Sequence, residues 1–244
     1  MSPHGLPDWG LTGPKHVTYG LDDLGEHAVR MGSPHLWDRR GDVIYSSDFR
    51  DGLAMFHTGA WGLGAQVDLV TGFSRQGAYS VRLRAGSNGQ QRAYLQLAFP
   101  FQDPSNVGLE FSFSVEPNTE KVRAQIEWWD GAISYMAWCR YMHVVKDIDC
   151  WVHPGVGHII DPNVSRHECV RPEHTMKLVV DMAANEYVRF MIDELSYNLG
   201  GLEARRLGVV FPPYWVFTVQ QEGVGGTNPD IYVDNVIVTQ NEPS

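Results

Sequence analysis

The run IYVDNVIVT at residues 231–239 decides the fold, because it is β-branched and aromatic almost throughout and ends close to the last residue of the chain. Neighbouring residues of a strand point to opposite faces of a sheet. The run therefore has two predicted faces, one with Ile231, Val233, Asn235, Ile237 and Thr239 and the other with Tyr232, Asp234, Val236 and Val238. This pattern is typical of a closing strand in a completed β-sandwich, with the Asp234 carboxylate kept for a local partner.

The rest of the chain after residue 41 repeats this strand pattern. In LEFSFSV, residues 109–115, the apolar positions are predicted to face inward and Glu110, Ser112 and Ser114 outward. Asp130-Gly131 is a two-residue hairpin signal between two such runs, and residues 183–185 form a second turn. The short spacing of the runs predicts an all-β, antiparallel jelly-roll sandwich over residues 41–244.

Residues 1–40 differ from the sandwich because proline and glycine interrupt them repeatedly. Only Leu21 to Met31 has helical spacing, so we predict an irregular N-terminal arm with one short helix. The arm carries apolar side chains that are costly to leave in water, namely Trp9, Tyr19, Leu24 and Trp37. Two interpretations stay open: a strap on the chain's own sandwich, or an arm that contacts a neighbouring subunit through these residues.

Composition limits the function classes. The chain of 244 residues has 29 acidic and 19 basic side chains, a net charge of -10, which argues against nucleic-acid binding. No apolar run approaches the ~20 residues that span a bilayer, so no membrane insertion is expected. The N-terminus lacks the charged and apolar regions of a secretory signal, so we expect a cytoplasmically assembled particle or virion as the location. Three cysteines without a Cys-x-x-Cys pair are predicted to be buried thiols, although Cys139 and Cys150 could face each other across a hairpin.

Three stretches carry a resemblance to a known class of fold. They are SDFRDGL at 47–53 followed by WGLG at 61–64, GAYSVRL at 77–83, and YVDNV at 232–236. Together they resemble the jelly-roll sandwiches of carbohydrate-binding modules and their laminin-G-like relatives. With the Pro/Gly-rich arm, the chain also looks like an accessory protein of bacteriophage particles, used for decoration or attachment.

The resemblance implies a structural calcium ion between the first and last strands. The positions that match are Asp48 and Asp234, whose carboxylate oxygens suit this ion. Arg50 departs from the pattern, because an acidic residue is common there. The arginine could replace the metal by pairing with one of the two carboxylates.

Aromatic residues dominate the middle of the chain and are the candidates for glycan stacking: Trp129, Tyr135, Trp138 and Trp151. Trp128 and Trp129 are adjacent and must point to opposite faces, so one of them is expected in the core. The alternative is that these rings are buried by the sheets or by subunit contacts.

Catalytic and metal motifs are weak. The histidines lie at His143, His153, His158, His167 and His174 without the close ligand spacing of a zinc site, so we interpret them as ordinary loop residues. No paired-glutamate strand, nucleophile elbow or phosphate loop is present. We therefore expect a protein that is not an enzyme and that contacts copies of itself or other subunits of an assembly. The alternative is a carbohydrate-binding module, and the third hypothesis is a polysaccharide lyase or hydrolase.

Overall fold

The computed structural model describes residues 40–75, 77–100, 105–129, 132–208, 214–223 and 225–244. Every regular element in these ranges is a β-strand, which confirms the predicted all-β class. The described residues contain no helix long and apolar enough to cross a membrane. The predicted helix over 21–31 and the arm residues Trp9, Tyr19, Leu24 and Trp37 lie outside the described ranges.

Two antiparallel sheets build the sandwich. The first sheet has the order β13 (Leu195–Asn198), β12 (Glu186–Ile192), β11 (Cys169–Asp181), β6 (Asn106–Val115), β16 (Asp230–Gln240), β4 (Tyr79–Arg84), β3 (Gln66–Thr71), and β1 (Asp42–Ser47) also pairs with β16. The second sheet has the order β10 (Val156–Asp161), β9 (Asp147–Val152), β8 (Ser134–Met142), β7 (Lys121–Trp129), β15 (Tyr214–Glu222), β5 (Arg92–Pro100), β2 (His57–Trp61), and β14 (Arg205–Arg206) also pairs with β8.

The core lies between the sheets and follows the predicted alternation in β6. Leu109, Phe111 and Phe113 are almost wholly buried, and each ring or branched side chain contributes about 1.5–3 kcal/mol by leaving water. The alternate residues Glu110, Ser112 and Ser114 point away from these, but they are buried as well. The prediction that they face solvent is wrong, because other groups cover this face of the first sheet.

One of those covering groups is the C-terminal segment, which brings Glu242 against two buried cations. Lys177 Nζ lies 2.7 Å from Glu242 Oε1 and 3.4 Å from Glu110 Oε2. Arg189 forms an ion pair with the other Glu242 oxygen, and the Thr239 hydroxyl donates a hydrogen bond to Oε1 at 2.5 Å. Charges buried to this degree persist only when paired and hydrogen-bonded.

The closing strand β16 lies between β6 and β4, in the middle of the first sheet, as predicted for a strand laid into a finished sandwich. Its alternation is not continuous. Asn235 has a positive φ of 51°, and the register with β6 shifts between Asp234 and Ile237. This bulge reverses the phase, so Val236 and Val238 join Ile231 and Val233 in the core. The prediction of two unbroken faces is corrected at this point.

Two of the cysteines lie opposite each other on neighbouring strands. Cys139 in β8 lies opposite Cys150 in β9, and both are buried free thiols. Burial, followed by the neighbouring Cys150, raises the pKa of Cys139 well above its ordinary value. Cys169 is only half-buried, so the prediction of buried thiols is confirmed for two of the three.

Candidate functional site

A groove of about 700 Å³ lies on the face of the second sheet that points away from the core. Its lining consists of the alternate residues of each strand that point away from the core. In β7, Val122, Ala124 and Ile126 are buried in the core, while Lys121, Arg123, Gln125 and Glu127 line the groove. The neighbouring strands add Arg92, Tyr94 and Gln96 from β5, Met136, Trp138 and Arg140 from β8, and Thr218, Gln220 and Glu222 from β15.

The strand register arranges these side chains in rows across the groove floor. One row runs Gln96, Thr218, Gln125, Trp138, since each is the direct cross-strand partner of the next. The adjacent row runs Tyr94, Gln220, Arg123, Arg140, Asp149. Directly opposed side chains interact, and Gln96 Nε2 donates to Thr218 Oγ1 at 3.3 Å. The floor is a continuous polar surface, although its strands are far apart in sequence.

Two tryptophans close one end of the groove. The rings of Trp138 and Trp151 stack with centroids 5.4 Å apart and planes inclined by 24°. The guanidinium groups of Arg123 and Arg140 lie 4.4 and 4.9 Å from the Trp138 ring centroid, and that of Arg205 lies 5.4 Å from the Trp151 centroid. Cations at such distances are attracted by the ring quadrupole. The ring faces of Trp138 are therefore occupied by protein groups.

Tyr187 in β12 of the first sheet holds this tryptophan pair from behind. Its hydroxyl crosses the core, accepts a hydrogen bond from Trp138 N at 2.9 Å, and donates to Trp151 O at 2.7 Å. The β8–β9 pairing begins at Cys139, so the hydroxyl joins the two strands just beyond the end of their ladder. Burial raises the pKa of Tyr187 well above its ordinary value, and the phenol stays neutral.

Charges in the groove are partly paired. Arg123 forms an ion pair with Glu222, and Arg140 contacts both oxygens of Asp149 at 2.7 Å. Arg92, Lys121 and Arg205 also line the groove and form no ion pair with any described residue. Glu222 and Asp149 are thus paired with arginines, whereas the Glu127 carboxylate accepts a hydrogen bond from Gln125.

Glu127 is the acidic group with the most altered environment in the groove. Burial raises its pKa above the ordinary value, and a hydrogen bond donated by Gln125 Nε2 at 2.5 Å opposes this. Two acidic residues line the groove, Glu127 in β7 and Glu222 in β15. Glu127 lies opposite Val216 of β15, which is six residues before Glu222 along that strand. At about 3.3 Å per residue this separates them by roughly 20 Å, beyond the ~5–9.5 Å of a hydrolytic carboxylate pair.

The predicted stacking residues have different positions. Trp138 and Trp151 line the groove together, but Trp138 is only 4% exposed and offers no open face. Tyr135 lies in the core, where its ring stacks on Trp128 with centroids 5.6 Å apart. The prediction that Tyr135 stacks on a glycan is therefore wrong. Trp129 ends β7 without lining the groove. Trp128 is the core member of the adjacent pair, as the alternation requires.

Sequence reasoning missed the aromatic residues at the other end of the groove. Trp61 in β2 is 61% exposed at the groove edge, with the Arg92 guanidinium 5.9 Å from its ring centroid. Tyr94 lies across Gly59, where a Cβ would stand 2.3 Å from its hydroxyl, and the His57 ring is 6.2 Å away. The alternating Arg92, Tyr94 and Gln96 were a readable sign of a polar face in β5.

The candidate calcium ligands have protein partners. Arg50 Nη2 lies 3.1 Å from Asp48 Oδ2, which is one of the two pairings predicted for this arginine. Asp234 is fully buried, and its oxygens accept hydrogen bonds from Arg75 N at 2.9 Å and Asn235 N at 2.8 Å. Calcium binding here stays a prediction.

Comparison with known proteins identifies solved structures of similar fold. No protein-family model matches the sequence, and no curated protein matches it. Among solved structures, the endo-β-1,4-glucuronan lyase of the fungus Trichoderma reesei is 10% identical with a TM-score of 0.55, over 82% of this chain and 96% of the lyase. The cellulose-induced protein Cip1 is 13% identical with a TM-score of 0.54, over 80% and 96% of the two chains. A carbohydrate esterase of Shiga toxin-encoding bacteriophage phi24B is 12% identical with a TM-score of 0.53, over 83% and 100%.

These likenesses confirm the predicted β-sandwich. They also contradict the prediction that the protein is not an enzyme, and that prediction is wrong. It rested on the absence of local motifs, whereas two of the three structures described above are named as enzymes. A groove floor assembled from distant strands leaves no such motif in the sequence.

Proposed function

We propose that the groove binds an anionic glycan, a polysaccharide that carries uronate or sulfate groups. The observation that carries the proposal is the reversal of charge in the groove. Its lining contains five basic side chains, Arg92, Lys121, Arg123, Arg140 and Arg205, and two acidic ones, Glu127 and Glu222. The whole chain, in contrast, has 29 acidic and 19 basic residues. Guanidinium groups match carboxylate and sulfate oxygens in geometry and charge.

The neutral part of the lining suits sugar hydroxyls. Gln96, Gln125 and Gln220 present amides, which both donate and accept hydrogen bonds. Trp61 offers an exposed ring to the apolar face of a pyranose at the edge of the groove. The glucuronan lyase of similar fold is named for a polymer of uronic acid, which agrees with this ligand class.

Calorimetric titration with a polyuronate oligosaccharide and with its carboxyl-reduced, neutral counterpart tests the proposal. We expect the acidic oligosaccharide to bind, with the neutral form at least about tenfold weaker, because each charge-assisted hydrogen bond contributes ~1.5–3 kcal/mol. Sulfated oligosaccharides form a second arm that separates the two anion types. Equal affinity for the acidic and neutral forms, or no heat with any member of the series, would refute the proposal.

A second candidate function is cleavage of the same polymer by β-elimination, and the position of Tyr94 favours it. Its phenol lies at the groove with the His57 ring 6.2 Å away, and the row through Tyr94 contains Arg123. A base would take the proton α to the uronate carboxylate, the C–H electrons would form the C4=C5 double bond, and the C4 oxygen would leave with a proton. An arginine beside the carboxylate would stabilise the charge that develops there.

The unsaturated product of elimination absorbs in the ultraviolet, where the saturated polymer does not, so turnover can be followed directly. We expect Tyr94→Phe to abolish turnover while oligosaccharide affinity is retained. Tyr214→Phe, in β15 and outside the groove lining, is the matched control and should keep full turnover. If the wild type binds the oligosaccharide but no absorbance appears, elimination is refuted, and the proposal of anionic-glycan binding is unaffected.

The role of a decoration or attachment component stays a prediction. So do the expected virion or cytoplasmic location and the contacts with other subunits. Glycan recognition by an attachment component is compatible with the groove, and the titration above addresses the groove alone.

A further inference from the structure

A strand irregularity far from the groove brings together three potential metal ligands. In β11, Cys169 lies opposite Val115 of β6, and His174 lies opposite Phe113. The six residues 169–174 thus oppose the three residues 113–115, and the extra residues bulge out of the ladder. One ring nitrogen each of His167 and His174 and the Sγ of Cys169 lie within 4.8 Å of one another. Bulges of this kind recur where side chains are redirected to a site.

Each imidazole already has a carboxylate on one nitrogen. His174 is 2% exposed, and its Nδ1 donates a hydrogen bond to Asp193 Oδ2 at 2.8 Å. Asp193 is fixed in turn by Thr175 N, which donates to Oδ1 at 2.8 Å, and by Arg166 at 3.3 Å. His167 Nε2 lies 3.3 Å from Glu173 Oε2. Metal-bound histidines almost always have such a partner on the nitrogen that does not bind the metal.

We propose that His167, Cys169 and His174 bind a transition-metal cation, with Zn²⁺ as the best match. Two imidazole nitrogens and a thiolate suit zinc and exclude calcium or magnesium, which require oxygen ligands. Three protein ligands leave a fourth position of the tetrahedron open. A cleft of about 640 Å³, lined in part by Ser165, His167 and Glu173, gives that position access to solvent and to a small ligand.

The cation would replace one hydrogen bond. His174 Nε2 donates to the carbonyl oxygen of His167 at 2.8 Å. Metal binding displaces this Nε2 proton and the thiol proton of Cys169, while the bond from Nδ1 to Asp193 remains in place. The spacing of the histidines in the sequence did not reveal the site, since its ligands include a cysteine and meet only through the bulge in β11.

Metal analysis of the whole chain tests the proposal. The purified protein is incubated with Zn²⁺, dialysed to remove free metal, and measured by elemental analysis. We expect stoichiometric zinc in the wild type and a drop of at least about tenfold in affinity for Cys169→Ser and for His167→Ala. Neither side chain is fully buried, so both variants should fold. His158→Ala, at an exposed position of β10, is the matched control and should keep the metal.

Cobalt substitution gives a second readout that does not depend on any activity. Co²⁺ bound by a thiolate produces a sulfur-to-metal charge-transfer band in the near ultraviolet, which Cys169→Ser must lose. Glu173→Gln, which changes only the outer partner of His167, should weaken binding by about tenfold and keep the band. The proposal is overturned if dialysed wild type retains no metal, if Cys169→Ser retains as much as wild type, or if bound cobalt lacks the band. The first of these results would mean that Asp193 and the carbonyl oxygen of His167 hold His174 without a metal.

Discussion

The indole of Trp138 lies between the ring of Trp151, 5.4 Å away, and the guanidinium groups of Arg123 and Arg140. Trp138 is therefore a support for the basic groups of the groove and presents no open surface to a sugar. The exposed ring is Trp61 at the opposite end. We therefore expect the two tryptophans to have separable roles, Trp138 in stability and Trp61 in the proposed recognition.

Replacement of each tryptophan by alanine should separate these roles. Trp138→Ala is expected to lower the free energy of unfolding by about 3–5 kcal/mol, because a large buried ring is lost. Trp61→Ala should change it by less than ~0.5 kcal/mol, as is usual at exposed positions, while it weakens oligosaccharide binding. Urea unfolding and calorimetric titration of both variants provide the comparison. A large stability loss in Trp61→Ala would contradict this assignment.

Tyr187→Phe should affect both stability and binding, because the lost hydroxyl joins the backbones of Trp138 and Trp151. We expect a loss of about 1–3 kcal/mol in the free energy of unfolding from the unsatisfied backbone groups. Oligosaccharide affinity should fall at the same time, since the tryptophan pair loses its support. Tyr197→Phe in β13, whose hydroxyl donates to Asp161 Oδ2 at 2.9 Å, is a control for the loss of a tyrosine hydroxyl outside the groove. Unchanged affinity in Tyr187→Phe would show that the bridge does not position the site.

Glu242→Gln should be strongly destabilising, because it removes the charge that lies against Lys177 and Arg189 in a buried position. Breaking a buried ion pair on one side costs about 3–5 kcal/mol. Asp48→Asn is the matched case at the surface, where Arg50 is the partner, and should cost less than ~1 kcal/mol. Chemical denaturation of the two variants measures the difference. Similar losses in both would mean that the C-terminal segment does not cover the charges in solution.

The buried Glu127 should make the stability difference between the wild type and Glu127→Gln depend on pH. Its folded-state pKa is raised by burial, so the folded protein binds this proton more tightly than the unfolded chain does. The resulting penalty is absent below the ordinary glutamate pKa of 4.5, appears as the pH rises toward the folded-state pKa, and is constant above it. Glu127→Gln should therefore be more stable than the wild type at pH 7, and this advantage should disappear at pH 4. An advantage of equal size at both pH values would exclude this origin.

The sequence predicts the strands well, because apolar and polar residues alternate along runs such as β6. In β6 the apolar phase from Leu109 to Val115 is visible without a structure. The sequence does not predict the bulge in β16, because the run around Asn235 is rich in β-branched residues and gives no sign of the positive φ at that position. There the phase of Val236 and Val238 depends on pairing with β6, which local pattern does not contain.

The groove could not be predicted from local sequence for a related reason. Its central strand β15 pairs with β7 on one side and β5 on the other, so Gln220 meets Tyr94 and Arg123 only after the sheet has formed. The polar alternation within β7 predicts one solvated face, but not which distant strands complete it. Large aromatic residues are conspicuous in the sequence and were predicted to bind the glycan. The recognition that we propose depends instead on the basic side chains of the groove.

The most direct test of an anion-binding groove compares two adjacent arginines in β14. Arg205 lines the groove, with its guanidinium 5.4 Å from the ring centroid of Trp151, whereas Arg206 is exposed and does not line the groove. Both substitutions to glutamine remove one positive charge from the same short strand. Calorimetric titration with an acidic oligosaccharide should show about tenfold weaker binding for Arg205→Gln and unchanged binding for Arg206→Gln. Equal affinities for the two variants would contradict recognition in the groove.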